Sequence, residues 1–197
     1  MNKEFRAYRW LYIILRLFLF PFYWLRFRGR ENVPKGAAVF CANHTSNLDP
    51  IFVGFAAGIN NHLHMMGKKE LFDVPILSAF YRAAGSFPVD RSISDVGAIR
   101  KTLKYLKEGE KMLIFPEGQR VRGDEKVEAK LGAVKMADQM NVPVVPVYIP
   151  SGKRIFHRYT IVIGVPYLVN PERKKLSNDA YVRLADDMME KIAHLRQ

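Results

Sequence analysis

The sequence predicts an α/β protein: a largely parallel sheet flanked by helices, preceded by an N-terminal helical arm for docking on a membrane. Three observations lead there. From residue 37 onward, short apolar runs alternate with longer segments of helical periodicity, and that alternation builds parallel sheets covered by helices. Polar clusters follow several of the apolar runs, where parallel sheets bind ligands. The first 28 residues are both more apolar and more basic than the rest. A chain of 197 residues is expected to hold one main domain with a sizeable core. We assign residues 1–28 to the arm and 29–197 to that domain.

The arm carries a large share of the charge. The formal net charge is +12, which implies an anionic partner. Residues 1–30 contain Lys3, Arg6, Arg9, Arg16, Arg26, Arg28 and Arg30 against one acid, Glu4. These cations interleave with "WLYIILRLFLFPFYWLRF", a composition that suits a phospholipid surface better than a nucleic acid. The stretch Trp10–Leu25 is 16 residues long and interrupted by Arg16 and Pro21. A span needs about 20 apolar residues, and a central Arg costs roughly 2.5–3.5 kcal/mol. Arg6, Arg9 and Arg16 fall within about 80° on a helical wheel, with Ile13 intruding. Pro21 can turn the chain back. We expect two short helices lying in one leaflet of an anionic membrane, with a short true span as the alternative. No small-residue cleavage site follows the apolar run.

The elements then follow in order. "AAVFCA" (37–42) reads as a buried strand; its Cys41, the single cysteine, reads as a packed thiol. Asp49-Pro50 looks like an N-cap and first helical residue, opening a helix through "IFVGFAAG". "HLHMMG" (62–67) is a strand, "VPILSAFYRAAG" (74–85) a helix and "SFPV" a short strand. Residues 95–108 form the clearest helix. Asp95 caps it, Gly109 stops it, and Val96, Ile99, Leu103 and Leu106 mark its inner face. "KMLIF", "VPVVPVYI" (142–149) and "RYTIVIGVP" are strands, and "GAVKMADQM" is a helix. Ser177 caps the last helix, whose buried stripe is Leu184, Met188, Ile192 and Leu195.

Four polar clusters follow apolar strands: "NHTSNLD", "GKKEL", "VDRS" and "PEGQR". In the first, His44 suits a general base at neutral pH, and Asp49 suits the carboxylate that orients it. On one regular helix they would diverge by about 140°. They meet only if Thr45-Ser46-Asn47 forms a turn. The plainer alternative is that Asp49 caps a helix and His44 is a satisfied polar residue. Ser46 as a nucleophile lacks a G-x-S-x-G elbow. A metal held by His44, His62 and His64 lacks an acidic ligand nearby, so no metal is expected. Lys68, Lys69, Arg91 and Arg120 gather cations at strand ends, where an anion would join them. Guanidinium groups suit a phosphate.

These residues resemble glycerolipid acyltransferases. "NHTSNLD" matches their His-x₄-Asp signature. "GSFPVDRS", "FPEGQR" and "VPVVPVYI" resemble their later blocks, in order, and "GKKELF" their Lys-containing stretch. The resemblance covers roughly residues 30–165, and short length with an early arm looks most like the bacterial 1-acyl-sn-glycerol-3-phosphate acyltransferases. It implies a glycerol-3-phosphate acyltransferase-like fold, with His44 as base and Asp49 as its orienter. Lys68, Arg91 and Arg120 would hold the acceptor phosphate, in a pocket shaped by Glu117 and Gly118. Gln119 stands where the family usually has Thr. The acceptor would be a lysophospholipid, lysophosphatidate first. The donor would be acyl-CoA or acyl-carrier protein, a co-substrate, with no further cofactor. The enzyme would sit on the cytoplasmic face of the cell membrane, held monotopically or peripherally by the arm. Two alternatives stand beside this reading: the same chemistry on another acceptor, and a non-catalytic basic module that binds anionic lipid or nucleic acid.

Overall fold

The computed structural model describes residues 3–90, 92–93, 95–121 and 127–196. Seven strands form one sheet in the order β1-β7-β6-β2-β5-β3-β4. They are β1 Tyr23–Arg28, β2 Ala38–Ala42, β3 Leu63–Lys68, β4 Ser86–Val89, β5 Lys111–Ile114, β6 Val144–Tyr148 and β7 His157–Ile163. Every neighbouring pair is parallel except β6 with β7, so the predicted class holds. The helices are α1 Lys3–Leu19, α2 Asp49–Ala57, α3 Pro75–Ala83, α4 Val96–Lys107, α5 Gly132–Met140 and α6 Asn178–His194.

Strand β2 lies at the centre and is buried on both faces, as expected for a near-continuous apolar run in a parallel sheet. Its side chains alternate. Phe40 and Ala42 join Phe52, Val145 and Ile161 under α1 and α2. Val39 and Cys41 join Met112, Val134 and Met188 under α4, α5 and α6. Cys41 is a buried free thiol, pushed up out of its usual range by that burial.

Three expectations change. The second short helix after Pro21 is instead β1, whose Tyr23, Leu25 and Phe27 face the core while Trp24, Arg26 and Arg28 face water. A period of two, not 3.6, runs through "YWLRFR". Only half of the expected α4 face turns inward: Leu106 is buried and Leu103 packs on the core, with Ala98 and Thr102 beside them, whereas Val96 and Ile99 are exposed. Asp49 is the first residue of α2 rather than its cap, and its side chain turns back toward residues 44–46. The caps at Asp95 and Ser177 form as expected, accepting from the backbone N–H of Ala98 and Ala180.

Helix α1 is held by an i, i+4 pair of tyrosines. Tyr8 donates to the Asn61 carbonyl at 3.1 Å and Tyr12 to the Phe55 carbonyl at 3.4 Å. Its other side exposes Trp10, Ile14, Leu17 and Phe18. None of the described helices is long and apolar enough to cross a membrane.

Candidate functional site

The polar clusters collect at one end of the sheet. His44 follows β2, Glu117 follows β5, and Lys153 follows β6, all at carboxyl ends of parallel strands. Asn43 stitches two of these ends together. Its side chain donates to the Ile149 carbonyl and accepts from the Ile149 N–H, each at 2.8 Å.

The turn that His44 and Asp49 need is present. His44 Nδ1 lies 2.9 Å from Asp49 Oδ2. The same oxygen accepts from the Thr45 N–H at 2.6 Å and the Ser46 N–H at 2.7 Å. Asp49 thus closes residues 44–46 into a loop around its own carboxylate while Pro50 starts α2 behind it. Asp49 Oδ1 is ion-paired with Lys153, whose side chain is only 4% exposed. Lys153 also donates to Thr45 Oγ1 at 3.1 Å and the Pro150 carbonyl at 2.8 Å. Burial alone would raise the Asp49 carboxyl. The bond with His44 and the Lys153 charge overcome that and hold it below the usual carboxylate range. Asp49 is therefore ionised and accepts only, so Nδ1 of a neutral His44 carries the proton and Nε2 keeps its lone pair. The His44 ring stacks on Phe115, centroids 4.1 Å apart.

The loop after β5 wraps the backbone of His44. Glu117 Oε2 accepts from the His44 N–H at 2.7 Å, and the Val121 N–H donates to the His44 carbonyl at 2.8 Å. Glu117 is buried, and that desolvation raises its carboxyl to about 7 despite the bond from His44. In this structure Glu117 braces the base. Gly118 has φ +70; a Cβ there would sit in tight contact, 3.3 Å from Lys130 Cγ, so glycine makes the turn without strain. Arg120 is exposed and immediately precedes Val121, which sets its backbone beside the base.

Lys68 ends β3 and pairs with Glu70 at 3.4 Å on the surface; Lys69 pairs with Asp90 at 3.6 Å. Arg91 lies outside the described residues. His62 and His64 stand apart as packing groups. Their rings lie 4.4 Å from one another, and they pack on Tyr8 and Tyr105. Burial holds them down, at about 3 and about 4. Lys153 is the residue that sequence reasoning missed. It is one of 31 basic residues, and its only signal is its place just beyond a strand that runs parallel to β2.

An apolar cavity of about 270 Å³ adjoins the turn. Asn47 and Leu48 line it from the His44–Asp49 loop, with Tyr12, Ile51, Met65 and Phe80 from α1, α2, β3 and α3. A larger groove of about 450 Å³ is lined by Arg28, Tyr148, Arg158 and Arg196, but not by His44, Asp49, Glu117 or Lys153.

A family model described as acyltransferase matches residues 25–150, well over half of the chain. The chain belongs to the acyltransferase family. This acyltransferase is 35% identical over 144 residues to the 1-acyl-sn-glycerol-3-phosphate acyltransferase of Bacillus subtilis, covering 70% of this chain and 71% of that one. It is 28% identical over 183 residues to the chloroplastic 1-acyl-sn-glycerol-3-phosphate acyltransferase of Arabidopsis thaliana, covering 86% of this chain and 51% of that one. It thus spans about half the length of the plant relative. The crystal structure of the 1-acyl-sn-glycerophosphate acyltransferase PlsC from Thermotoga maritima superposes with a TM-score of 0.71 at 20% identity. That match covers 98% of this chain and 78% of that one, and it shows the shared fold.

Proposed function

We propose that this acyltransferase moves an acyl chain from a thioester donor, acyl-CoA or acyl-carrier protein, to the sn-2 hydroxyl of lysophosphatidate, making phosphatidate. The observation that carries the proposal is the His44–Asp49 pair, with Nδ1 engaged at 2.9 Å and Nε2 left for a substrate proton. The names of the relatives support the acceptor.

The acceptor hydroxyl gives its proton to His44 Nε2 as its oxygen attacks the thioester carbonyl carbon. The C–S bond then breaks, and the leaving thiolate takes the proton back from the imidazolium. The ionised Asp49 offsets the positive charge that builds on the ring between those steps. A thioester is already activated, so no acyl-enzyme intermediate is required. Arg120, with Lys68 and Arg91 as further candidates, anchors the acceptor phosphate and so orients the hydroxyl. The apolar cavity beside Leu48 accepts part of an acyl chain. Helix α1 docks on the cytoplasmic face of an anionic membrane through its exposed Trp10, Ile14, Leu17 and Phe18, so lipid substrates arrive from the leaflet.

The test is release of free thiol from acyl-CoA that depends on lysophosphatidate. His44→Ala should lose roughly 10²–10⁴ in rate while binding anionic vesicles as the wild type does. Equal turnover by the two proteins removes His44 as the base, and thiol release without acceptor removes the transferase reading.

A further inference from the structure

The turn between β6 and β7 carries "KRIFHR", residues 153–158, at the same end of the sheet as the catalytic pair. Its tip is Ile155-Phe156, 53% and 56% exposed. Phe156 has φ +60, a left-handed conformation that a bulky side chain adopts only when its surroundings hold it there. Two contacts do so. Its N–H donates to the Phe22 carbonyl at 2.6 Å, and the two rings lie 5.9 Å apart. Behind the tip the Tyr159 hydroxyl accepts from the Arg154 N–H at 2.6 Å and donates to the Arg154 carbonyl at 3.2 Å. The turn is therefore a braced display of two apolar side chains rather than a loose loop.

The apolar tip is continuous with α1. Phe22 leads back through exposed Phe20 to Phe18 and Leu17 at the end of that helix. Cations frame it. Arg154 and Arg158 flank the tip, neither with an acidic partner among the described residues. No acidic residue occurs between Asp138 and Glu172, or between Glu4 and Glu31. An apolar wedge ringed by unpaired arginines fits the boundary between anionic headgroups and acyl chains. A second copy of the chain fits poorly, because a two-fold contact would set these arginines against their own mates.

We propose that the Ile155–Phe156 turn is a second membrane-insertion element. Together with Phe22 and the end of α1, it enters the headgroup region of an anionic bilayer and presses the mouth of the site against the leaflet. The proposal rests on the membrane-docking part of the proposed function and adds to it a segment more than 130 residues away in sequence.

The test uses the full chain and vesicles of phosphatidylglycerol and phosphatidylcholine. Cys41 is fully buried, so a nitroxide on Phe156→Cys labels one site. In the vesicle-bound protein that label should be more accessible to oxygen than to a water-soluble nickel chelate. A label at Glu172→Cys, beyond the far end of β7, should stay in water. Ile155→Ser/Phe156→Ser should weaken partition onto the vesicles by about tenfold or more, with turnover of a monomeric short-chain lysophosphatidate unchanged. A label that stays in water while the wild type sediments with vesicles overturns the insertion turn and leaves docking by α1 standing. So does unaltered partition of the double variant. Spin–spin broadening at residue 156 between two copies, or protection of the label only by a protein partner, overturns it in favour of that occupant. Failure of the wild type to bind vesicles at all overturns both it and the docking reading, while thiol release by the soluble protein still tests the chemistry separately.

Discussion

Asp49 is held from three sides: by His44, by the N–H groups of Thr45 and Ser46, and by Lys153. The Lys153 ammonium is ion-paired with Asp49 and donates to Thr45 Oγ1 and the Pro150 carbonyl, and its side chain is only 4% exposed. Its effect on catalysis runs through Asp49. Lys153→Met leaves a buried carboxylate without its cation, and removing one partner of such a pair costs about 3–5 kcal/mol. Denaturant unfolding should show that loss, and kcat should fall more than the KM for the acceptor changes. Glu117 makes a separate pH prediction. Its folded-state value, about 7, lies above the ordinary 4.5, so the fold favours the neutral carboxyl. Its stabilising contribution is complete below about 4.5 and is lost as pH rises to about 7. Glu117→Gln keeps an acceptor for the His44 N–H and cannot ionise. Thermal midpoints of the wild type should therefore drop relative to Glu117→Gln between pH 5 and pH 7.5. Parallel curves would show that the fold does not raise the Glu117 carboxyl above its unfolded value.

At the scale of elements, the junction of β1 with the sheet is the tightest backbone approach. Gly29 follows β1 with φ +73, and a Cβ there would overlap the Ile163 carbonyl oxygen at the end of β7. Asn32 donates to that same oxygen at 3.0 Å. Gly29→Ala should destabilise by roughly 2–4 kcal/mol, since backbone on both sides leaves nothing flexible to move; equilibrium unfolding checks it, and a change within about 0.5 kcal/mol contradicts it. Here some signals were legible and others were not. The alternation in "YWLRFR" marks a strand, yet the basic, aromatic composition around Pro21 outweighs it when the segment is read as one arm. In α4 the apolar residues Ile99 and Val96 lie about 60° and about 120° from the centre of the buried face. The sheet accepts the small residues Ala98 and Thr102 there because a helix packs closer over them. Thr102 further satisfies its hydroxyl internally, donating to the Ala98 carbonyl at 3.0 Å. Apolar periodicity alone does not carry that information.

At the scale of the molecule, charge and shape act together. A net charge of +12 beside exposed apolar residues on α1 and the 155–156 turn predicts binding that needs both anionic headgroups and acyl chains. Partition onto vesicles containing phosphatidylglycerol should fall steeply as salt rises from about 0.05 to 0.5 M, because the Debye length shrinks over that range. Binding that ignores salt would show that burial of apolar surface alone holds the protein. Vesicle sedimentation at several salt concentrations separates the two.

By itself the amino-acid order determined the class of fold and the order of strands and helices from residue 37 onward, and it made His44 and Asp49 a candidate pair that the folded turn then brought to 2.9 Å. Each of these is encoded within a few neighbouring residues: an apolar run, a capping residue, a turn-forming triplet between base and carboxylate. Tertiary structure decided what depends on distant segments meeting. It put β1 beside β7, set Glu117 under the His44 backbone from 73 residues away and brought Lys153 to Asp49. A cation at a strand end looks the same in sequence whether it is solvated, as Lys68 is, or buried against a carboxylate, as Lys153 is. Desolvation makes the difference, and desolvation is a property of packing.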